Sequence, residues 1–330
     1  MESSSDDLIL AGVSAVGLIS LCCRLLVFLR WVYKMFLRPP KDLLSYGSWA
    51  IITGSTDGIG KALAFELASK GLNLICVSRN PAKLESTAAE IHAKVGPAIT
   101  VRNVTLDFNK SSPEEIMSVI GGAVRGLDVG LLVNNVGMAY SYPRFFHETD
   151  EELVEAAIRI NVQAAMWMTR AVMPLMRKKK KGAIVNIGSG SSVVIPSMPL
   201  YTVYTASKAF MTTFSRSIGV EYRHEGIDIQ CQAPLFISTK MTKLGSSLMV
   251  STPEMYARWS LRWMGQKADT LCSPVWGHSL QSYLVRCLPD ALVSWCFLRY
   301  FVSTREKVLR RKKMRELNQA GLTSNPQAIS

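Results

Sequence analysis

Apolar and polar positions along the chain fall into three regimes. In the first, Leu8 to Cys23 are sixteen residues without a charge, and extension through Arg24 to Leu29 makes twenty-two. As helix that is about 33 Å, enough for a hydrocarbon core of about 30 Å. Arg24 lies near the end of such a helix and can snorkel to the interface. Glu2, Asp6 and Asp7 precede the stretch, and Arg30, Lys34, Arg38 and Lys41 follow it. Positive charge marks the cytoplasmic side, so the chain beyond residue 40 is expected in the cytosol. A cleaved signal peptide is the rival reading. It fits less well, since the leading residues are acidic and no small-x-small site precedes Arg24. Pro39-Pro40 punctuates the end of the segment.

In the second regime, strand-like and helix-like patterns alternate. Strands are predicted at Trp49–Thr53, Leu72–Ser78, Ile99–Asp107, Val129–Asn134, Gly182–Ile187 and Ile227–Ala233. Between them the spacing predicts helices, including Ala82–Val95, a long one over Glu151–Met176 and another over Tyr204–His224. Such alternation implies an α/β fold with a doubly wound parallel sheet of Rossmann type. From Pro274 the pattern changes again, to apolar helical patches interrupted by Arg286, Pro289, Asp290 and Arg299. These read as an amphipathic or re-entrant membrane contact, or as the wall of a substrate cavity, rather than as a second span. Three parts follow: an anchor and linker over 1–44, a catalytic domain over 45–273, and an apolar, basic extension over 274–330.

Composition narrows this picture. Hydrophobic residues at 48% against 19% charged exclude a mostly disordered chain. The net charge of +13 asks for an anionic partner. The excess is clustered: Arg299 to Arg315 holds eight basic residues and one acid, and Arg177–Lys181 holds five. A basic cluster behind an apolar stretch favours a membrane surface, and no zinc-finger spacing or RNA-binding aromatic pattern supports nucleic acid. The seven cysteines are irregularly spaced and show no metal pattern, as expected of reduced thiols. The four histidines show no ligand spacing and receive no role.

The chemistry sits at strand ends. The first strand runs into Thr53-Gly54-Ser55-Thr56-Asp57-Gly58-Ile59-Gly60. Gly54 turns the chain, Gly58 admits a pyrophosphate close to the backbone, and Gly60 lets the following helix pack on the sheet with its N-terminus toward the phosphates. The second strand ends Val77-Ser78-Arg79-Asn80 with no acid to bind ribose hydroxyls, and Arg79 can pair with a 2′-phosphate, which favours NADPH. Asp107 ends the third strand, where its carboxylate can meet an adenine edge. Tyr204 and Lys208, four apart, share one helical face, an arrangement in which an ammonium lowers a phenol's pKa toward acid–base work.

Together these motifs resemble the short-chain dehydrogenase/reductases. The matches are Thr53–Gly60, Asn134-Asn135-Val136-Gly137, Asn161, serines after the fifth strand, and Tyr204–Lys208, in family order over roughly residues 48–245. Val136 stands where the family usually has Ala, and Pro234-Leu235 where many members have Pro-Gly. Gly47–Gly54, Gly71-Leu72-Asn73-Leu74, Asp128-Val129-Gly130 and Pro253-Glu254 with Tyr256-Ala257 are similar to the membrane-bound 3-ketoacyl-CoA reductases of fatty acid elongation, the plant branch above all. That subgroup also includes animal enzymes linked to 17β-hydroxysteroids.

The resemblance implies that Tyr204 donates a proton to the substrate carbonyl and that Lys208 binds the nicotinamide ribose. It implies that Asn161 holds a water in a proton relay and that a serine hydrogen-bonds the carbonyl oxygen. Asn135 and Thr239 would contact the cofactor. Counting from the strand selects Ser189, and counting thirteen back from Tyr204 selects Ser191. The strand end is the firmer anchor, so Ser189 is taken and Ser191 kept as the alternative. Met241 to Arg262 would form a mobile lid, with Met241, Leu244, Leu248, Met249 and Trp259 either on an acyl chain or in core packing. The implied activity is NADPH-dependent reduction of 3-ketoacyl-CoA at the endoplasmic reticulum membrane, beside other elongation subunits, in a chain that family habit would dimerise through the helices bearing Asn161 and Tyr204. The rivals are a steroid or retinoid dehydrogenase and a non-catalytic scaffold with a reductase fold.

Overall fold

A computed structural model describes residues 2–242, 245, 247, 249–266 and 269–319. The chain divides into two compact units, Met1–Pro40 and Lys41–Ser330. The first is one helix, α1 (Glu2–Val32), continued by a π-helical turn at Tyr33–Leu37. Within its stretch Ile9–Leu37, an 18-residue window reaches a mean hydropathy of 2.2 with none of that window buried. Among the described residues it alone is long and apolar enough to cross a membrane.

The second unit is built on seven parallel strands: β1 (Trp49–Thr53), β2 (Asn73–Ser78), β3 (Val101–Thr105), β4 (Val129–Asn134), β5 (Gly182–Ile187), β6 (Ile227–Gln232) and β7 (Leu271–Cys272). Their order is β3-β2-β1-β4-β5-β6-β7, so the chain reverses direction across the sheet between β1 and β4. Six strands lie where hydropathy predicts them. The seventh, two residues long, is too short to leave a periodic trace.

Helices cover both faces, which is why β4 and β5 are buried at every residue and carry no polar alternation. One layer is α2 (Gly58–Ala68), α3 (Pro81–Val95) and α8 (Pro253–Trp263), packing Leu63, Leu67, Leu84, Ile91, Tyr256 and Leu261 on the sheet. The other holds α4 (Pro113–Ala123), α6 (Ala164–Lys178) and α7 (Thr202–Glu221), with Ile116, Ile120, Met168 and Val172 against it. Three helices start alike: Asn80, Ser112 and Thr252 each accept the backbone N–H of the third helical residue, and proline takes the first helical position. A side chain satisfies an orphan donor there, and proline loses none.

The long helix expected over Glu151–Met176 is broken. It is α5 (Glu151–Ile158), a π-helical turn at Arg159–Gln163, and α6. The turn holds Asn161, whose side chain bonds the loop after β4. The C-terminal region folds as α9 (Trp276–Arg286) and α10 (Asp290–Gln319).

The expected lid over Met241–Arg262 is corrected in its second half. Tyr256, Ala257 and Leu261 of α8 are core residues, and Trp259 packs against them. Met249 is exposed, Met241 faces the site described below, and Leu244 and Leu248 lie outside the described residues.

Candidate active site

A cleft of about 490 Å³ opens at the carboxyl ends of the strands, around the β1/β4 reversal. Parallel sheets place ligands at this topological switch point. Its floor is the glycine-rich loop. Gly54 and Gly58 take φ of +65° and +52°, a region that resists side chains. A Cβ on Gly60 would stand 2.2 Å from the Gly54 carbonyl oxygen, so α2 can begin this close to β1 only with glycine there. Asn135 clamps the loop: its Nδ2 donates to the carbonyls of Thr53 at 2.9 Å and Gly54 at 3.2 Å.

The sequence-predicted cofactor residues divide here. Gly54, Thr56, Asp57, Gly58, Ile59, Arg79, Asp107, Asn135 and Thr239 all line the cleft. Ser55 and Gly60 do not: both are buried beneath the loop. Asp57 is engaged with protein cations. One of its oxygens accepts from the Gly58 N–H at 3.1 Å and the other from Lys240 Nζ at 2.8 Å, with Lys83 Nζ at 3.7 Å. Although partial burial opposes it, this pairing holds the carboxyl below its usual range. One Asp107 oxygen accepts from the Asn109 N–H at 3.0 Å. Thr239 approaches the loop, its methyl 3.3 Å from where a Cβ on Gly58 would sit.

A nicotinamide dinucleotide fits these residues. The first-turn N–H groups of α2 have no acceptors within the helix. Glycine leaves open the space beside them. At the end of β2 stand Ser78, Arg79 and Asn80, with Lys83 nearby and no carboxylate on that strand end.

At the other end of the cleft lie Ser189, Tyr204 and Lys208. Ser191 does not line it. Instead Ser191 donates through its hydroxyl at 2.9 Å and its N–H at 3.2 Å to Ser189 Oγ. With its lone pairs so engaged, Ser189 has its own O–H to give. Burial pushes the Tyr204 phenol up, opposed by a hydrogen bond with Ser189. The expected lowering by Lys208 is not what opposes burial here. Lys208 Nζ donates to the Ile187 carbonyl at 2.9 Å, and its own burial pushes it down to about 8.

Asn161 sits behind the cleft. Its Oδ1 accepts from the Met138 N–H at 2.8 Å, and its Nδ2 donates to the Met138 carbonyl and to Ser207 Oγ, both at 2.9 Å. Both amide hydrogens are thus spent on protein groups, and the side chain fixes the β4 loop.

Two features escaped sequence reasoning. Asn134, Asn186 and Ser215 form a buried ladder beneath the site: Asn134 Nδ2 donates to Asn186 Oδ1, and Asn186 Nδ2 to Ser215 Oγ, each at 2.8 Å. Its only trace is polar residues inside apolar strands. The other is the reason for the glycine at 137, which the motif names without explaining: a Cβ there would lie 3.3 Å from both Asn161 Oδ1 and Lys208 Nζ.

A glycine-cradled dinucleotide cleft with a serine, a tyrosine and a lysine at its far end defines a Rossmann-type oxidoreductase. The chain belongs to the short-chain dehydrogenase family, whose model matches residues 48–247. It is 44% identical over 297 residues to a very-long-chain 3-oxoacyl-CoA reductase-like protein of Arabidopsis thaliana, covering 88% of this chain and 93% of the relative. It is 35% identical to a human very-long-chain 3-oxoacyl-CoA reductase, over 81% of this chain and 84% of the relative. A human inactive hydroxysteroid dehydrogenase-like protein is 39% identical, over 77% of this chain and 76% of the relative. Among solved structures, a short-chain dehydrogenase from Sphingobium yanoikuyae in complex with NADPH superposes with a TM-score of 0.62 at 25% identity, over 74% of this chain and 95% of the other.

Proposed function

We propose that this protein is an NADPH-dependent reductase of long-chain 3-ketoacyl-CoA, held by α1 in the endoplasmic reticulum membrane with its catalytic domain on the cytosolic face. The observation that carries it is the convergence of Ser189, Tyr204 and Lys208 on one cleft, in a chain matched along most of its length by 3-oxoacyl-CoA reductases. The inactive relative makes a scaffold the reading to exclude, and the side chains that chemistry needs are all present here.

Gly54, Thr56, Gly58, Ile59 and Asn135 would hold the dinucleotide, with Arg79 on its 2′-phosphate. When bound, NADPH supplies hydride to the C3 ketone. Tyr204 gives its phenolic proton to the ketone oxygen, leaving a 3-hydroxyacyl-CoA. A pKa raised by burial suits that task, because the proton stays on the phenol until an alkoxide forms. The Ser189 O–H donates to the same oxygen as negative charge develops there. Lys208 would orient the ribose. Asn161 and Ser191 position these groups from behind. Other elongation subunits and a second copy of the chain are partners in this proposal.

Detergent-solubilised protein and a Tyr204→Phe variant, given NADPH and a long-chain 3-ketoacyl-CoA or a 17-ketosteroid, test it. Loss of NADPH absorbance with the acyl-CoA alone, abolished by the substitution, is expected. Turnover of the steroid alone would replace the substrate, and binding of NADPH without any turnover would favour the scaffold.

A further inference from the structure

The first half of α10 is apolar on both sides. Inward, Val293 and Phe301 are buried. Phe301 meets the Tyr201 ring at 5.2 Å, and Tyr201 meets Tyr204 at 6.4 Å. Ser197 Oγ donates to Ser294 Oγ at 2.7 Å, and Arg305 pairs with Glu148. A helix held against the domain from Val293 to Arg305 does not cross a bilayer.

Outward, Leu280, Tyr283 and Leu284 of α9 and Leu292, Trp295 and Leu298 of α10 are 40% to 62% exposed. The α9 residues, spaced i, i+3, i+4, share one face. Leu288, between the two helices, is also exposed. Apolar side chains exposed in such number over two successive helices point to an interaction site. Further along α10, Lys307, Arg310, Arg311, Lys313 and Arg315 are exposed and form no salt bridge among the described residues. Aromatic and aliphatic side chains followed by unpaired cations are what the interface of an anionic bilayer accepts. A bilayer is also within reach, since only three residues separate the apolar stretch ending at Leu37 from the unit beginning at Lys41.

We infer that the outward face of α9 and α10 is a second membrane-contact surface, lying on an anionic lipid leaflet. Resting on the membrane anchoring proposed above, this keeps the ring stack behind Tyr204 at the level where an acyl chain leaves the bilayer. The test places a protease site between Pro40 and Lys41 of the full chain, reconstituted in vesicles of phosphatidylcholine with or without phosphatidylserine. After cleavage the fragment from Lys41 onward should float with the phosphatidylserine vesicles. A Leu284→Glu/Trp295→Glu variant should lower bound fragment by about tenfold or more while keeping wild-type turnover in detergent. Arg310→Glu/Arg311→Glu should abolish the preference for phosphatidylserine and leave NADPH binding intact. Release of wild-type fragment from both vesicle types overturns the inference, as does binding unmoved by either variant. So does a soluble dimer broken by the Leu284 and Trp295 changes, which would make a second copy the occupant. If no acyl-CoA is turned over and the fragment still floats, the proposed activity fails and the membrane contact stands.

Discussion

Ser189 and Ser191 are two residues apart, and their substitution separates two ways of aligning the site. Ser189 lines the cleft, and Ser191 reaches it only through Ser189, donating from its hydroxyl at 2.9 Å and its N–H at 3.2 Å. Ser189→Ala removes a donor aimed at developing negative charge. Losses of that kind cost about 2.7–4 kcal/mol, a 10²–10³-fold fall in kcat. Ser191→Ala removes one neutral hydrogen bond, worth about 1 kcal/mol net, and the backbone N–H still orients Ser189. At about 1.4 kcal/mol per tenfold, its kcat should fall roughly fivefold. Single-turnover oxidation of NADPH at saturating acyl-CoA reads the chemical step, and thermal melting with NADPH titration checks that both variants remain folded. A Ser191→Ala loss equal to or greater than that of Ser189→Ala would refute the assignment and show that the count from Tyr204 was the sounder guide.

Three further outcomes are expected. Arg79→Asp should raise the Kd for NADPH by about ten- to hundredfold, the worth of a charge-assisted bond, with little change for NADH in a fluorescence titration; equal effects on both cofactors would remove Arg79 from the 2′-phosphate. Lys208 is pushed from 10.5 down to about 8 by burial, so between those values the unfolded chain holds a proton that the native state has released. Stability of the cofactor-free protein should therefore rise with pH through that window, by about 3 kcal/mol, measured as the difference between wild type and Lys208→Met in denaturant melts; a difference that stays flat or falls with pH contradicts the burial argument. Gly137→Ala places a Cβ 3.3 Å from Asn161 Oδ1 and Lys208 Nζ. It should cost about 1–3 kcal/mol of stability and lower kcat as well, both visible in melts and steady-state assays of the same preparation.

Much of this site was legible before the fold was known. The glycine loop and the Tyr204–Lys208 pair are local patterns: each depends on a few neighbouring residues and one backbone geometry. The break in the long helix was not legible, because nothing in Glu151–Met176 announces a π turn. It accompanies bonds between Asn161 and Met138, twenty-three residues upstream, and Ser207, forty-six residues downstream. Asp57 was read as a cofactor residue, and only packing shows it against Lys240, brought from the far side of the sheet. Residues 253–262 read as a lid because their apolar positions fit a substrate wall as well as a core; contact with the sheet layer of α2 decided for the core.

The sequence by itself determined the strand–helix alternation, the apolar N-terminal helix, the dinucleotide loop and the family. Hydrophobic period, glycine placement and i, i+4 spacing are properties of the local chain. Only the tertiary structure decided which serine faces the cleft, that the Asn161 side chain is spent on the β4 loop, and that α10 lies along the domain with an apolar face outward. Those outcomes depend on hydrogen bonds and burial between segments far apart in sequence, whose partners no local pattern names.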